Sequence, residues 1–307
     1  MSITSRTTRD ASSSPSTLRS WKLQQQAHRL LVYVLLVVLA LIYMGPLLWM
    51  FSTSLKASWE VVVRPPVWIP SELHWENYWE GWTALPFNIF LRNSLMIALH
   101  NVFANLITCS MAAYAFARLR APGKNVFFIA VLSTMMMPFE VTIIPHYLLW
   151  MHVGNFTRDV FGFTAGINTF WPMMLPAWFT WPFGVFLLRQ FFLTLPTELD
   201  DAAKIDGAST FRIYWNIMLP LSKPALASVA ILAFMGNWNN FIQPLIFLND
   251  WDHFTLPIGL NFFRGQYRTY FEQMMAVSLL TVLPILILFF FTQRYFIRGI
   301  ALTGIKG

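Results

Sequence analysis

Apolar residues in this chain come in long unbroken runs, not in the three-and-four beat of a helix lying on a soluble core. The run from Leu30 to Phe51 contains no charged residue. At roughly 1.5 Å per residue it is long enough to cross about 30 Å of hydrocarbon. It is too long for the core of a signal peptide, and no small-residue cleavage site follows it. Five more apolar stretches lie at 89–116, 125–150, 168–190, 223–248 and 275–296. Lipid offers no partner to a backbone N–H or C=O, so such segments must be helices. The pattern predicts an all-α integral membrane protein with six transmembrane helices. No repeat at a fixed period is present. Residues 1–28, rich in Ser and Thr with scattered bases, read as a disordered cytoplasmic tail. Residues 29–307 read as the membrane domain.

One segment breaks the apolar rhythm: "TELDDAAKIDGASTFRIYWNIMLPLSKP", Thr197 to Pro224. Thr197 followed by Asp200 approximates a capping box. Glu198, Asp200 and Asp201 fall in the first turn, where the helix dipole favours negative charge. Asp206-Gly207 is a turn signal, since glycine accepts positive φ, and a larger side chain at 207 is expected to clash at the corner. Ser209 is placed to cap a second helix. In that helix Phe211, Tyr214, Trp215 and Met218 recur at i, i+3, i+4 and i+7, which predicts one aromatic-rich stripe. Pro220 ends it, and Pro224 suits the first turn of the next span. The segment 196–220 is thus expected to be a helix–turn–helix. It is either an amphipathic hairpin lying on the bilayer or a docking element. Its crowded acids favour a basic protein partner over an anionic lipid surface.

The composition agrees with the membrane reading. The chain is 56% hydrophobic and 11% charged, where soluble domains carry about 25% charged residues. The net charge of +7 does not point to nucleic acid, because the bases sit between apolar runs and form no stripe with stacking aromatics. Instead they report orientation. Lys56, Arg64, Arg92, Arg158, Arg264 and Arg268 fall on one side of the predicted membrane, and the rest of the 21 Lys and Arg on the other. The positive-inside rule then places both termini and the 196–220 loop in the cytoplasm. Cys109 is the only cysteine and sits inside a span, so neither an intrachain disulfide nor a cysteine metal site can form.

Several polar residues interrupt the spans. Glu140 stands in the third, between Pro138 and Pro145, and is either a functional group or half of an ion pair, with Arg92 as the candidate partner. Asn237, Trp238, Asn239, Asn240 and Gln243 lie in the fifth, where amides either bond between helices or line a path for a hydroxyl-rich solute. Trp171, Trp178 and Trp181 read as an interfacial belt or as faces for sugar rings. No nucleophile elbow, triad or metal-ligand spacing occurs, so the chain offers no catalytic set. No G-x-x-x-x-G-K-[ST] occurs either.

The loop residues Asp201-Ala202-Ala203-Lys204-Ile205-Asp206-Gly207-Ala208, with Pro220 and Pro224 downstream, resemble the EAA loop of ABC-importer permeases. Asp201 replaces the usual Glu, which shortens the acid by one methylene. The segments "PLLWMFSTSLK", "AAYAFARLRAPGKN", "PFGVFLLRQFF", "GNWNNFIQPL" and "QRYFIRGIALTGIKG" resemble carbohydrate-importer permeases, specifically the shorter, six-helix partner of the maltose-type heterodimer. The segment 152–168 looks longer than the corresponding loop of that family.

The resemblance implies an inner-membrane subunit of a prokaryotic importer for a sugar or related hydroxylated solute. It implies a homologous permease partner, two separate ATPase subunits that use ATP and Mg, and an extracytoplasmic solute-binding protein met by the outer loop 249–274. This chain would bind no cofactor and no metal of its own. The residues that would engage the ATPase are Glu198, Asp201, Ala202, Ala203, Asp206, Gly207, Ala208, Phe211 and Trp215, with Lys306 and Gly307 in the tail. The solute path would take Glu140, Asn237, Trp238, Asn240 and Gln243. The alternatives are a stand-alone secondary transporter or channel, an ABC permease for a non-sugar solute, and an integral-membrane enzyme.

Overall fold

The structure, a computed structural model, describes residues 15–179, 181–265 and 270–303, with side-chain surroundings given between 25 and 293. The described residues form helices and turns with no strand. In chain order the helices are α1 (Pro15–Ser54), α2 (Ser58–Val61), α3 (Glu76–Ala84), α4 (Phe87–Arg118), α5 (Lys124–Ser133), α6 (Phe139–Phe161), α7 (Trp171–Met174) and α8 (Pro182–Thr194). They continue with α9 (Glu198–Ile205), α10 (Thr210–Ile213), α11 (Leu219–Leu221), α12 (Lys223–Trp238), α13 (Ile242–Phe247), α14 (Leu256–Asn261) and α15 (Phe271–Thr303). The first helix begins at Pro15, so the backbone of 15–28 is helical where a disordered tail was expected.

Among the described residues three helical stretches are long and apolar enough to cross a bilayer unaided: Gln25–Ser54, Phe87–Arg118 and Phe271–Gln293. The other expected spans are interrupted. The third bends by 95° between Met136 and Phe139. Pro138 explains the break, since it lacks the N–H that would continue the ladder. The fourth is split into α7, a 3-10 turn (Leu175–Phe179) and α8. The fifth stops at Trp238 and resumes at Ile242. Beyond α6 the chain doubles back, so 152–168 is the end of a helix and its return and not a free loop. The return needs glycine on both sides: a Cβ on Gly166 would stand 2.6 Å from the Gly154 Cα and 2.7 Å from the Trp150 carbonyl.

Helix α4 is the column around which this irregular backbone is arranged. It packs against α8 and α12, while α15 packs against α1, α3 and α12. Its buried polar residues include Asn93, Ser94, Asn101, Asn105 and Ser110. Asn93 Nδ2 donates to the carbonyls of Asp252 and Phe254, and Ser94 Oγ accepts from Leu256 N–H at 2.9 Å. Asn101 Nδ2 donates to the Met173 carbonyl at 2.9 Å. Irregular backbone at membrane depth survives only where protein satisfies it, and α4 supplies those bonds.

Candidate functional site

The helix–turn–helix between α8 and α12 is fastened along one face and free along the other. On the fastened face Ala203, Ile213, Tyr214 and Met218 are buried against Ala113, Tyr114, Val185, Leu188 and Phe192. Tyr214 shares a 2.7 Å hydrogen bond with Ser110. Ser209 Oγ accepts from Arg212 N–H, as expected of the second helix's cap.

Other expectations are corrected. Thr197 makes no side-chain cap bond, and Asp200 turns inward, only 6% exposed. Its carboxylate meets Arg118 at 3.5 Å. Arg118, at the end of α4, also donates to the carbonyls of Phe192 at 2.8 Å and Leu195 at 2.6 Å. One guanidinium therefore ties the last turn of α8 to the first turn of α9. Among the described residues, Asp200 Oδ1 and Arg118 Nε have no partner. Burial pushes the Asp200 carboxyl above its ordinary value, and the attraction of Arg118 offsets only part of this.

The free face carries most of the predicted residues. Glu198, Asp201, Ala202, Asp206, Gly207, Phe211 and Trp215 are exposed; Ala208 is half-buried and Ala203 points inward. The expected single aromatic stripe is split. Phe211 and Trp215 lie stacked at 6.2 Å on the outside, while Tyr214 and Met218 are core. The two i,i+4 pairs fall on adjacent flanks of the helix, and a π-helical turn spans Tyr214–Met218. Pro220 does not end the helix, which runs through Leu221 before the chain turns by 79° into α12. Gly207 has φ +75°, and a Cβ there would meet nothing within 4 Å. The glycine is required by left-handed backbone, not by the clash expected of a side chain.

The polar residues of the fifth span divide into separate roles. The expected continuous strip is interrupted, because the helix breaks after Trp238. Asn237 Oδ1 accepts from Asn101 at 2.5 Å and its Nδ2 donates to the Ala233 carbonyl. Trp238 is buried and donates to the Thr281 carbonyl at 3.1 Å, which ties α12 to α15. Asn240 accepts from the Gln243 N–H and donates to the Gln243 side chain, so it caps α13. Glu140 is exposed in the first turn of α6, directly after the bend. Among the described residues it forms no ion pair; the polar contact of Arg92 is with Asn93. Lys306 and Gly307 lie outside the described residues.

Residues 104–302, from the middle of α4 to nearly the end of α15, match the family model for the "binding-protein-dependent transport system inner membrane component". The chain belongs to this family. Among the relatives of this permease is the arabinooligosaccharides transport system permease protein AraQ of Halalkalibacterium halodurans. It is 38% identical over 272 residues, covering 88% of this chain and 93% of the relative. The sn-glycerol-3-phosphate transport system permease protein UgpE of Pectobacterium atrosepticum is 33% identical over 89% of this chain and 94% of its own. A chain in the crystal structure of a bacterial ABC transporter involved in the import of the acidic polysaccharide alginate shares the fold. Its TM-score is 0.73 at 22% identity, over 89% of this chain and 98% of that one.

Two parts of the permease's framework went unread in the sequence. Arg118 counted there only as a charge, yet it is the pin of the hook. The Asn93, Asn101 and Asn105 row was legible, since spacings of eight and four put these amides on one side of a span.

Proposed function

We propose that this permease forms half of the translocation path of an ATP-driven importer for a sugar or related hydroxylated solute. The single observation that carries the reading is the hook of α9 to α11. One face is locked to α4 and α8 through Arg118, Tyr214 and Met218, and the other presents acids, Ala202, Phe211 and Trp215 to solvent. A rigid element with a free acidic and aromatic face is suited to transmit motion from a docked protein into the bundle. The family and the names of the curated relatives support import of a hydroxylated solute. In this reading a separate ATPase pair binds ATP and Mg and grips the hook through Glu198, Asp201, Ala202, Asp206, Gly207, Phe211 and Trp215, with Ala203 and Ala208 setting the packing beneath. Lys306 and Gly307 make the tail contact. A homologous permease completes the membrane unit, a solute-binding protein docks on the face of residues 249–274, and both termini stay cytoplasmic. Glu140, Asn237, Trp238, Asn240 and Gln243 border or brace the path.

The test is coupling. Asp201→Lys reverses charge at an exposed position, and Gly207→Leu forces a β-carbon into left-handed backbone at about 1–2 kcal/mol. Both variants are expected to insert and assemble, yet to lose uptake while ATP hydrolysis persists or the ATPase dissociates. Gly207→Asn, which tolerates that φ, should retain most uptake. Wild-type transport by Asp201→Lys and Gly207→Leu together would remove the hook from the mechanism.

A further inference from the structure

A cavity of about 320 Å³ opens between α4, the return segment after α6 and the α7 region, away from the hook. The volume falls within the range of small-molecule sites, roughly 300–1,000 Å³. Trp171 and Trp178 line it and stay 45% and 39% exposed. Large indoles left half-open at the rim of a concave site have faces to offer.

The side chains around them are held in position. The Trp178 N–H donates to His100 Nε2 at 3.0 Å. Indole N–H only donates, so His100 Nε2 is the acceptor of this bond. Thr169 gives its hydroxyl proton to the Gly166 carbonyl at 2.6 Å, which leaves its oxygen as an acceptor. His253 Nδ1 lies 2.6 Å from Asp250 Oδ1. Asp250 is also bonded by Asn168 Nδ2 at 2.6 Å, and these bonds hold its carboxyl below the ordinary range. His253 is thus oriented by a carboxylate behind it, with Nε2 as its remaining polar atom. Asn168, which sustains Asp250, takes φ +61°, a left-handed value in which asparagine is one of the few tolerated residues.

We infer that this cavity is a solute site of the permease for an uncharged sugar ring, with Trp171 and Trp178 as stacking faces and Thr169 and His253 as hydroxyl partners. This rests on the importer reading above and narrows its solute class. Charge decides the class. Among the described residues no Lys or Arg lines the cavity, and the Asp250 carboxylate stands behind its His253. A phosphate or uronate would meet a like charge and no cation. A neutral ring presents apolar C–H faces to indole and hydroxyls that both donate and accept. Of the two solutes named for the curated relatives, the chemistry of arabinooligosaccharides fits and that of glycerol 3-phosphate does not.

The test uses the complete transporter, with arabinotriose and sn-glycerol 3-phosphate as probes. In a Cys109→Ala background, Thr169→Cys is expected to react with maleimide and to be protected by arabinotriose but not by glycerol 3-phosphate. Trp171→Ala and Trp178→Phe should lower arabinotriose uptake in proteoliposomes about five- to tenfold, with complex yield retained. Equal protection by both probes, protection by neither, or protection by the phosphate alone overturns the inference. Unchanged uptake in both tryptophan variants overturns it as well, and leaves the importer reading standing. Protection by arabinotriose without any ATP-dependent uptake would instead sink the importer reading and leave the site.

Discussion

At the scale of single residues, Arg118 and Asp200 are the most consequential pair. Both side chains are buried, their contact is 3.5 Å, and each keeps one polar atom without a partner among the described residues. An imperfect buried pair contributes little net stability, but deleting one member strands the other. Arg118→Met should therefore destabilise the hook by about 3–5 kcal/mol, and the companion change Asp200→Leu should restore part of that loss. Complex yield and melting temperature of the single and double variants measure the coupling. The pH dependence follows from the raised Asp200 carboxyl. A group whose pKa rises on folding adds stability that is present below its unfolded value and lost as pH climbs through the folded one. Hydrogen exchange across 198–205 should accordingly slow as pH falls from neutral toward 4, after correction for the intrinsic rate. Asp200→Asn should abolish that trend. A trend of opposite sign would mean that Arg118 dominates.

At the scale of elements, the question is what the interrupted fifth span is for. Asn237 and Asn240 look alike in the sequence but do different work. Asn237 bonds to Asn101 across α12 and α4, while Asn240 bonds only within the turn before α13. A buried amide left unpaired costs about 1–3 kcal/mol. Asn237→Leu removes one of the two acceptors of Asn101 Nδ2, whose Oδ1 has no partner among the described residues, so melting temperature and complex yield should fall in step with uptake. Asn240→Leu removes a cap at about 1 kcal/mol and should reduce uptake or shift solute preference more than it reduces yield. If both variants lose assembly first, α13 is a brace and the path runs elsewhere.

At the scale of the whole molecule, orientation rests on charge alone and is open to a chemical test. Cys109 is fully buried, with its sulfur against the Trp181 backbone at 3.3 Å, so Cys109→Ser yields a quiet background. Cysteine introduced at position 160 or 261, both exposed, should then react with an impermeant thiol reagent added outside cells. Cysteine at 122 or 209 should react only after the membrane is opened. The reverse pattern would invert the molecule and put the hook outside, where no ATPase can reach it.

Much of this permease follows from its sequence alone, and the parts that do share one property: each rests on interactions between residues near one another in the chain. Apolar runs dictated helices because lipid leaves the backbone no other partner. Asp206-Gly207 dictated the corner, which is seen at φ +75°. The EAA pattern marked the acidic and aromatic residues that are found on the free face of the hook. Tertiary structure decided the rest, through partners distant in sequence. Whether Asp200 caps a helix or meets Arg118 depends on where α4 ends relative to α9. Which of Phe211, Tyr214, Trp215 and Met218 is core depends on which flank of the helix faces α4 and α8. The irregular backbone at Met173, Phe254 and Leu256 is tolerated because Asn101, Asn93 and Ser94 of α4 satisfy its carbonyls and N–H groups from more than seventy residues away. Local rules see the helix a residue belongs to; only the folded chain shows which buried polar group finds a partner, and that is where this protein places its hook and its cavity.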